Sequence, residues 1–194
     1  AFPQPGAGFG LGLGTFYIQE GQPVTQLAGN VNGVPTQIGN VEPDFQMSFN
    51  NQFTNGKNLD IRFLIHWKEG GENINLSKLL TDLNSLTPDL DTPEGQERTG
   101  LGFVAERFIE PAAYLRLREA AIYYTLPDDT FAWLSEGISS VRLGLTGRNL
   151  FTITDYSSYD PETSVNGGAG LSSGIEVTPF PSSKQYMFNL NVKF

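Results

Sequence analysis

Five charged side chains of this sequence stand where an extended chain would turn them toward one face: Asp60, Arg62 and His66 in one segment, Arg142 and Arg148 in another. Guanidinium and carboxylate groups so placed can hydrogen-bond sugar hydroxyls or peptide groups. The plainer use is to line a wetted wall or to pair with another charged surface. His66 is the only histidine, and a triad or metal role would need partners at fitting positions, which the sequence lacks. Asp155, Asp160 and Glu162 offer the oxygens that calcium prefers, but not at the spacing of an EF-hand loop; a hydrogen-bonded loop is the expectation. Asp128 and Asp129 follow Pro127 and precede an expected helical turn around Phe131 to Leu134, where capping accounts for them. No carboxylate pair is set out for glycoside hydrolysis, and no GxSxG, P-loop or zinc motif occurs. The Gly-rich run Gly8 to Gly14 is not followed by a helix, so it is not a dinucleotide site. No catalytic, cofactor or metal site is assigned, and the chain reads as a non-enzyme.

Composition narrows the partners. With 12 Lys plus Arg against 21 Asp plus Glu, the net charge is -9, which disfavours nucleic acid and a polybasic attachment to anionic lipid. There is no cysteine, hence neither disulfides nor thiolate metal sites. No apolar run approaches the roughly 18 residues of a transmembrane helix, and the Gly/Pro-rich start does not look like a signal peptide. Abundant Gly, Pro and Phe (22, 12 and 14 residues) suit an all-β chain with long, irregular loops.

The elements that must position the charged residues show in the alternation of side chains. Leu59, Ile61, Phe63, Ile65 and Trp67 share one face, opposite Asn58, Asp60, Arg62, His66 and Lys68. Tyr186, Phe188, Leu190, Val192 and Phe194 alternate with Gln185, Met187, Asn189, Asn191 and Lys193. Phe45 to Phe53 and Val141 to Arg148 follow the same rule. Tyr114 to Leu126 changes phase midway, which a bulge near Arg118 and Glu119 would reconcile. A weaker sixth strand is expected at Phe9 to Gln19. Asn55-Gly56 predicts a tight hairpin, and Pro127 to Gly137 a second short connection. Three long gaps alternate with these: Glu20 to Pro43, Glu69 to Ala113, with a short helix over Ile74 to Leu83, and Phe151 to Ser183. Short turns alternating with long loops, strands of about ten residues, and aromatics such as Trp67, Tyr186 and Phe194 near the strand ends are features of an outer-membrane barrel. No internal repeat, linker or domain boundary is evident.

Four segments resemble a known family in order along the chain. These are Ile38-Gly-Asn followed by Glu42-Pro-Asp-Phe, the stretch AYLRLRE from Ala113 to Glu119 followed by Tyr124-Thr-Leu-Pro, the run VRLGLTGRNLFTITDYSSYDPE from Val141 to Glu162, and the ending Pro179 to Phe194. Together they resemble the SusC/RagA TonB-linked outer-membrane proteins. The resemblance implies an antiparallel transmembrane β-barrel of about 22 strands around a plug, in the bacterial outer membrane. It implies import of oligosaccharides or peptides, a SusD-like surface lipoprotein over the extracellular mouth, and TonB acting through the plug. Residues 1–194 would be a C-terminal segment of about six strands, with the plug and N-terminal regions outside it. Asp60, Arg62, His66, Arg142 and Arg148 would face the lumen, toward substrate or plug, and the long gaps the cell exterior. The competing reading is a soluble all-β glycan- or protein-binding module; a hydrolase comes third. The first two differ in what the apolar strand faces meet, acyl chains or a second sheet.

Overall fold

The computed structural model describes residues 4–5, 15–31, 34–100, 105–127, 130, 138–163, 174–180 and 182–194. They fall into two compact units, one of residues 1–45, 68–114 and 154–181, the other of residues 46–67, 115–153 and 182–194. In chain order the elements begin with strands β1 (Gln4–Pro5), β2 (Thr15–Ile18), β3 (Gln26–Val31), β4 (Val34–Asn40), β5 (Pro43–Asn55), β6 (Leu59–Gly70) and β7 (Glu72–Asn75). Helices α1 (Leu76–Leu83) and α2 (Pro93–Gly100) and a 3-10 turn (Ala105–Phe108) follow. The chain continues with β8 (Ile109–Pro111), β9 (Tyr114–Thr125), β10 (Ser140–Ile153), β11 (Ile175–Glu176) and β12 (Gln185–Lys193). No helix among the described residues is long and apolar enough to cross a membrane.

The five long strands that alternation predicts form one sheet in the order β12-β10-β9-β6-β5, an up-and-down path that never skips a neighbour. Leu143 pairs with Leu190 on one side and Tyr124 on the other, and Leu145 with Phe188 and Ile122, so the apolar residues align in rows on one face. That face is not covered: Leu145 is 55% exposed, Phe188 71% and Phe53 57%. Burial is inverted on this sheet, since Thr146 on the opposite, polar face is only 3% exposed.

The phase change in β9 has a physical counterpart. Register steps from Arg148 opposite Glu119 to Phe151 opposite Leu117, three residues of β10 against two of β9. Asn149 in that step takes a positive φ of 51°, which asparagine tolerates better than most residues. The hairpin after β5 differs from expectation in detail: Asn55 ends the strand, and of the pair only Gly56 takes a left-handed φ, at 62°. The expected sixth strand lies elsewhere. Its described part, β2, belongs to a four-stranded sheet β1-β2-β3-β4, and its remainder lies outside the described residues.

In the other unit the long gaps fold. Phe16, Leu27, Ile74, Leu76, Leu79, Phe108 and Ile175 make a buried cluster drawn from β2, β3, β7, α1, the 3-10 turn and β11. The predicted helix begins two residues late because Ile74 and Asn75 belong to β7, which lies between β8 and β11; Asn75 then caps α1, its Oδ1 accepting from the Lys78 amide at 2.9 Å. Arg98 of α2 clamps α1 and the turn between the helices. Its guanidinium donates to Asp82 at 2.6 and 3.1 Å and to Asp89 at 2.9 and 3.1 Å. These bonds, Asp82's foremost, hold the guanidinium's pKa above its ordinary value and keep it charged.

The Arg98 side chain is 9% exposed and that of Asp82 fully buried, so Arg98→Met leaves a buried carboxylate without its counter-ion. The expected cost to local stability is about 3 kcal/mol, read as roughly hundredfold faster amide exchange in α2. Unchanged exchange there would mean that the clamp is dispensable.

Candidate functional site

The polar face of the five-stranded sheet gathers most of the charged residues singled out by sequence. Alternation places Asp60, Arg62 and His66 on β6 and Arg142 and Arg148 on β10, and the sheet order sets β9 between them. Asp60 is the hub. Its carboxylate accepts from Arg62 at 2.7 Å and from Arg142 at 2.8 Å, so one anion bridges strands that are not neighbours. Both guanidiniums lie over the ring of Tyr123 on the intervening strand, Arg142 at 4.6 Å and Arg62 at 5.6 Å from its centroid, where the negative ring face attracts cations.

Tyr123 can lie flat there because its β10 partner is Gly144. A methyl group at Gly144 would come within 2.4 Å of the tyrosine ring, so the position needs a residue without Cβ. The phenol reaches Thr146 Oγ1 at 3.2 Å, and Asn189 of β12 donates to the same hydroxyl at 3.4 Å. One polar network therefore runs from β6 across β9 and β10 to β12.

His66 and Arg148 stand outside this cluster. Arg148 donates to Glu119 at 2.9 Å, and the His66 ring meets the Arg118 guanidinium at 2.8 Å. Arg118 and Glu119, adjacent in sequence, thus serve the same face, which is where the sequence called for a bulge. Of the five predicted residues the structure brings three together, and it gives the other two separate partners. Sequence reading missed Tyr123, although its parity opposite Tyr124 places it on the polar face.

The loop carboxylates are engaged structurally. Asp160 is buried, accepts from the Glu162 amide at 3.0 Å, and binds Thr163 through its own carbonyl. Glu162 receives the Tyr114 hydroxyl. Among the described residues no three His, Cys, Asp or Glu side chains converge as metal ligands. Asp128 and Asp129 lie outside the described residues, as does the helical turn expected around Phe131 to Leu134.

The densest polar burial centres on Glu176, which is fully buried. It accepts from Ser77 and Ser158 at 2.7 Å each and from the Tyr156 hydroxyl. Burial, and then this bond to a carboxylate, push the Tyr156 phenol above its usual pKa, so it remains a donor. Glu110 holds the adjoining turn, accepting from the Ser157 amide at 2.8 Å and its hydroxyl at 2.6 Å. Alternation gives no sign of these residues, which lie in the loops and short strands between the long strands.

No protein-family model matches the sequence. The chain is 29% identical over 176 residues to TonB-dependent receptor P3 of Formosa agariphila, covering 81% of this chain and 17% of that protein. It is 27% identical over 107 residues to TonB-dependent receptor P39 of the same organism, covering 55% of this chain and 10% of that protein. Among solved structures it resembles the RagAB peptide importer in its closed-closed state, with a TM-score of 0.62 and 24% identity over 84% of this chain and 19% of that one. The open-open state gives a TM-score of 0.58 over 88% and 21%. The chain therefore spans only a small part of each relative's length. The structural likeness establishes the fold, an antiparallel strand array of the kind in that importer. The sequence relationship to TonB-dependent receptors agrees with the SusC/RagA resemblance carried by the four segments along the chain, and supports reading the chain as a stretch of such a barrel.

Proposed function

We propose that the chain supplies C-terminal wall strands and external loops of a TonB-dependent importer in the bacterial outer membrane, with oligosaccharides or peptides as cargo. The observation that carries this reading is the inverted sheet. Its apolar rows are exposed, with Leu145, Phe188 and Leu190 all more than half open, while polar groups are buried on the other face. A soluble binding module would cover those rows with a second layer, and none packs on them among the described residues. Acyl chains on one side and a wetted lumen on the other satisfy both faces.

In this reading Asp60, Arg62, His66, Arg142 and Arg148 line the lumen, where the Asp60 cluster is a stiff, mostly self-paired wall that can meet plug or cargo. The family relationship supports a SusD-like lipoprotein over the mouth and TonB as the source of energy. The name of the RagAB peptide importer keeps peptides as well as glycans among the candidate cargoes. Transport needs no bond-breaking by this chain.

A strain lacking the full-length protein is expected to lose growth on a polymeric glycan or protein source while growing normally on monosaccharides and amino acids. Normal growth on every polymeric source would sink the importer reading. Leu145→Lys in the full-length protein should impair assembly, with a cost of about 2–4 kcal/mol if the site lies near mid-bilayer, measured by urea unfolding in lipid vesicles. Wild-type stability there would remove the acyl-facing assignment. The chain has no cysteine, which allows a direct test of the two faces. A cysteine at Arg62 should react with a hydrophilic, membrane-impermeant maleimide, and one at Leu145 should not; equal labelling would contradict the lumen placement.

A further inference from the structure

The outward apolar face of the five-stranded sheet is not evenly ridged. In one row Leu145 stands between Phe188 on β12 and Ile122 on β9, all three large and exposed. In the next row toward the loops Gly147 stands between Tyr186 and Ala120, so two adjacent strands present almost no side chain there. The result is a groove of about 380 Å³ walled by Ile61, Phe63, Ile122, Leu145, Leu150 and Tyr186. The one charged residue at its margin, Arg62, has its guanidinium engaged by Asp60.

The register step of β10 shapes one end of the groove. Leu150 follows Asn149, the residue of left-handed φ, and leans back over Gly147, where a methyl group would come within 2.6 Å of it. A side chain at position 147 would displace Leu150, so glycine there lets the leucine close the groove toward the loops.

That end is also where a cation stands. Tyr186 is the second residue of β12, and Lys184, two residues before it, falls on the same side of the chain. Asn149 donates to the Ser183 carbonyl at 3.3 Å, which keeps this segment alongside β10. Lys184 is exposed, and no carboxylate among the described residues pairs with it. An ammonium group thus lies one step beyond the aromatic side chain that tops an apolar groove.

These features match a molecule with a flexible hydrocarbon tail and an anionic head. A tail can pass between Leu145 and Tyr186 and cover the shallow floor, whereas a facing protein wall would reach it only by displacing Tyr186. A second copy across a twofold axis would also bring its own Lys184 to the same edge, like charge against like. We propose that the groove seats one acyl chain of a phosphate-bearing membrane lipid whose headgroup lies against Lys184. The assignment rests on the acyl-facing reading of this sheet and goes beyond it, because a wall merely wetted by hydrocarbon needs neither a groove nor a cation above it.

The test is photo-crosslinking of the full-length protein in phosphatidylcholine vesicles. These contain a small share of either phosphatidylglycerol or phosphatidylcholine with a diazirine in one acyl chain. Phosphatidylglycerol crosslinks are expected to concentrate on the peptides bearing Ala120 and Gly147. They should exceed those of phosphatidylcholine roughly fivefold, the advantage of one lysine near an anionic headgroup. Lys184→Gln should remove that preference, and Ala120→Phe, which fills the floor, should remove the concentration itself. An unchanged urea midpoint checks that both variants fold. The lipid site is overturned if crosslinks spread evenly over all outward strand faces, or if Lys184→Gln leaves the preference intact. It is overturned too if Ala120→Phe dissociates a dimer, which would make a second copy the occupant. With any of these the acyl-facing reading of the sheet stands. Crosslinks absent from the outward rows altogether would overturn that reading as well.

Discussion

A β-sheet whose large apolar side chains face outward must find hydrocarbon for them, and most other features of this chain follow from that constraint. Phe188 and Tyr186, each 71% exposed, would be a severe aggregation liability in water. In a bilayer they are the solvent-compatible surface. The medium that accepts them accepts no unpaired backbone amide, so the strands must be long, continuous and paired without interruption. The uninterrupted neighbour order β12-β10-β9-β6-β5 meets that demand. Even the register step at Asn149 costs the sheet no strand: pairing resumes at Phe151, and Leu117 returns to the row of apolar side chains.

With one face committed to apolar contact, polar chemistry is confined to the other, and there it serves stiffness. Asp60 ties β6 to β10 over the intervening strand, and Tyr123 fills the space above Gly144. Each charge in the cluster has a partner, which limits the desolvation penalty that a buried lone charge would bring. The shared carboxylate still leaves two cations to one anion within the group, a residual positive character on a chain whose net charge is -9.

Legibility in the sequence followed the same division. The long strands were readable because a two-faced strand writes its environment into every second residue, and the interruption in β9 was readable as a break of that rule. The family resemblance rested on segments that the structure puts to work: AYLRLRE leads into β9, and YSSYDPE carries Tyr156 and Ser158 to buried Glu176 and Ser157 to Glu110. The strands β3 and β4 were not readable. Their sequences, QLAGNV and VPTQIGN, mix Gly, Pro, Gln and Asn without alternation, and pairing to neighbours rather than pattern makes them strands. Helix α2 has poor intrinsic propensity, but Thr92 followed by Pro93 is a start signal that was available; Thr92 Oγ1 accepts from the Gly95 amide at 3.2 Å. Which charges meet across the sheet depends on register, and no single strand encodes that.

The loops carry what the strands cannot. A strand in this sheet has one apolar and one polar face, which in the proposed barrel meet hydrocarbon and a wet wall, so each position has few permissible residues and little room to specify a water-soluble ligand. Loops are free of that limit but lose binding energy if they must be ordered each time a ligand arrives. Here the loop unit has its own apolar cluster around Phe108 and Ile74, a buried ion clamp at Arg98, and Glu176 receiving three hydroxyls. Buried carboxylates with all their donors supplied rigidify their surroundings, and Glu176 fixes Ser77, Tyr156 and Ser158, from three segments of the loop unit, at once. The interactions that order these loops are therefore internal to them, so their pre-organisation comes from the folding of the loops themselves.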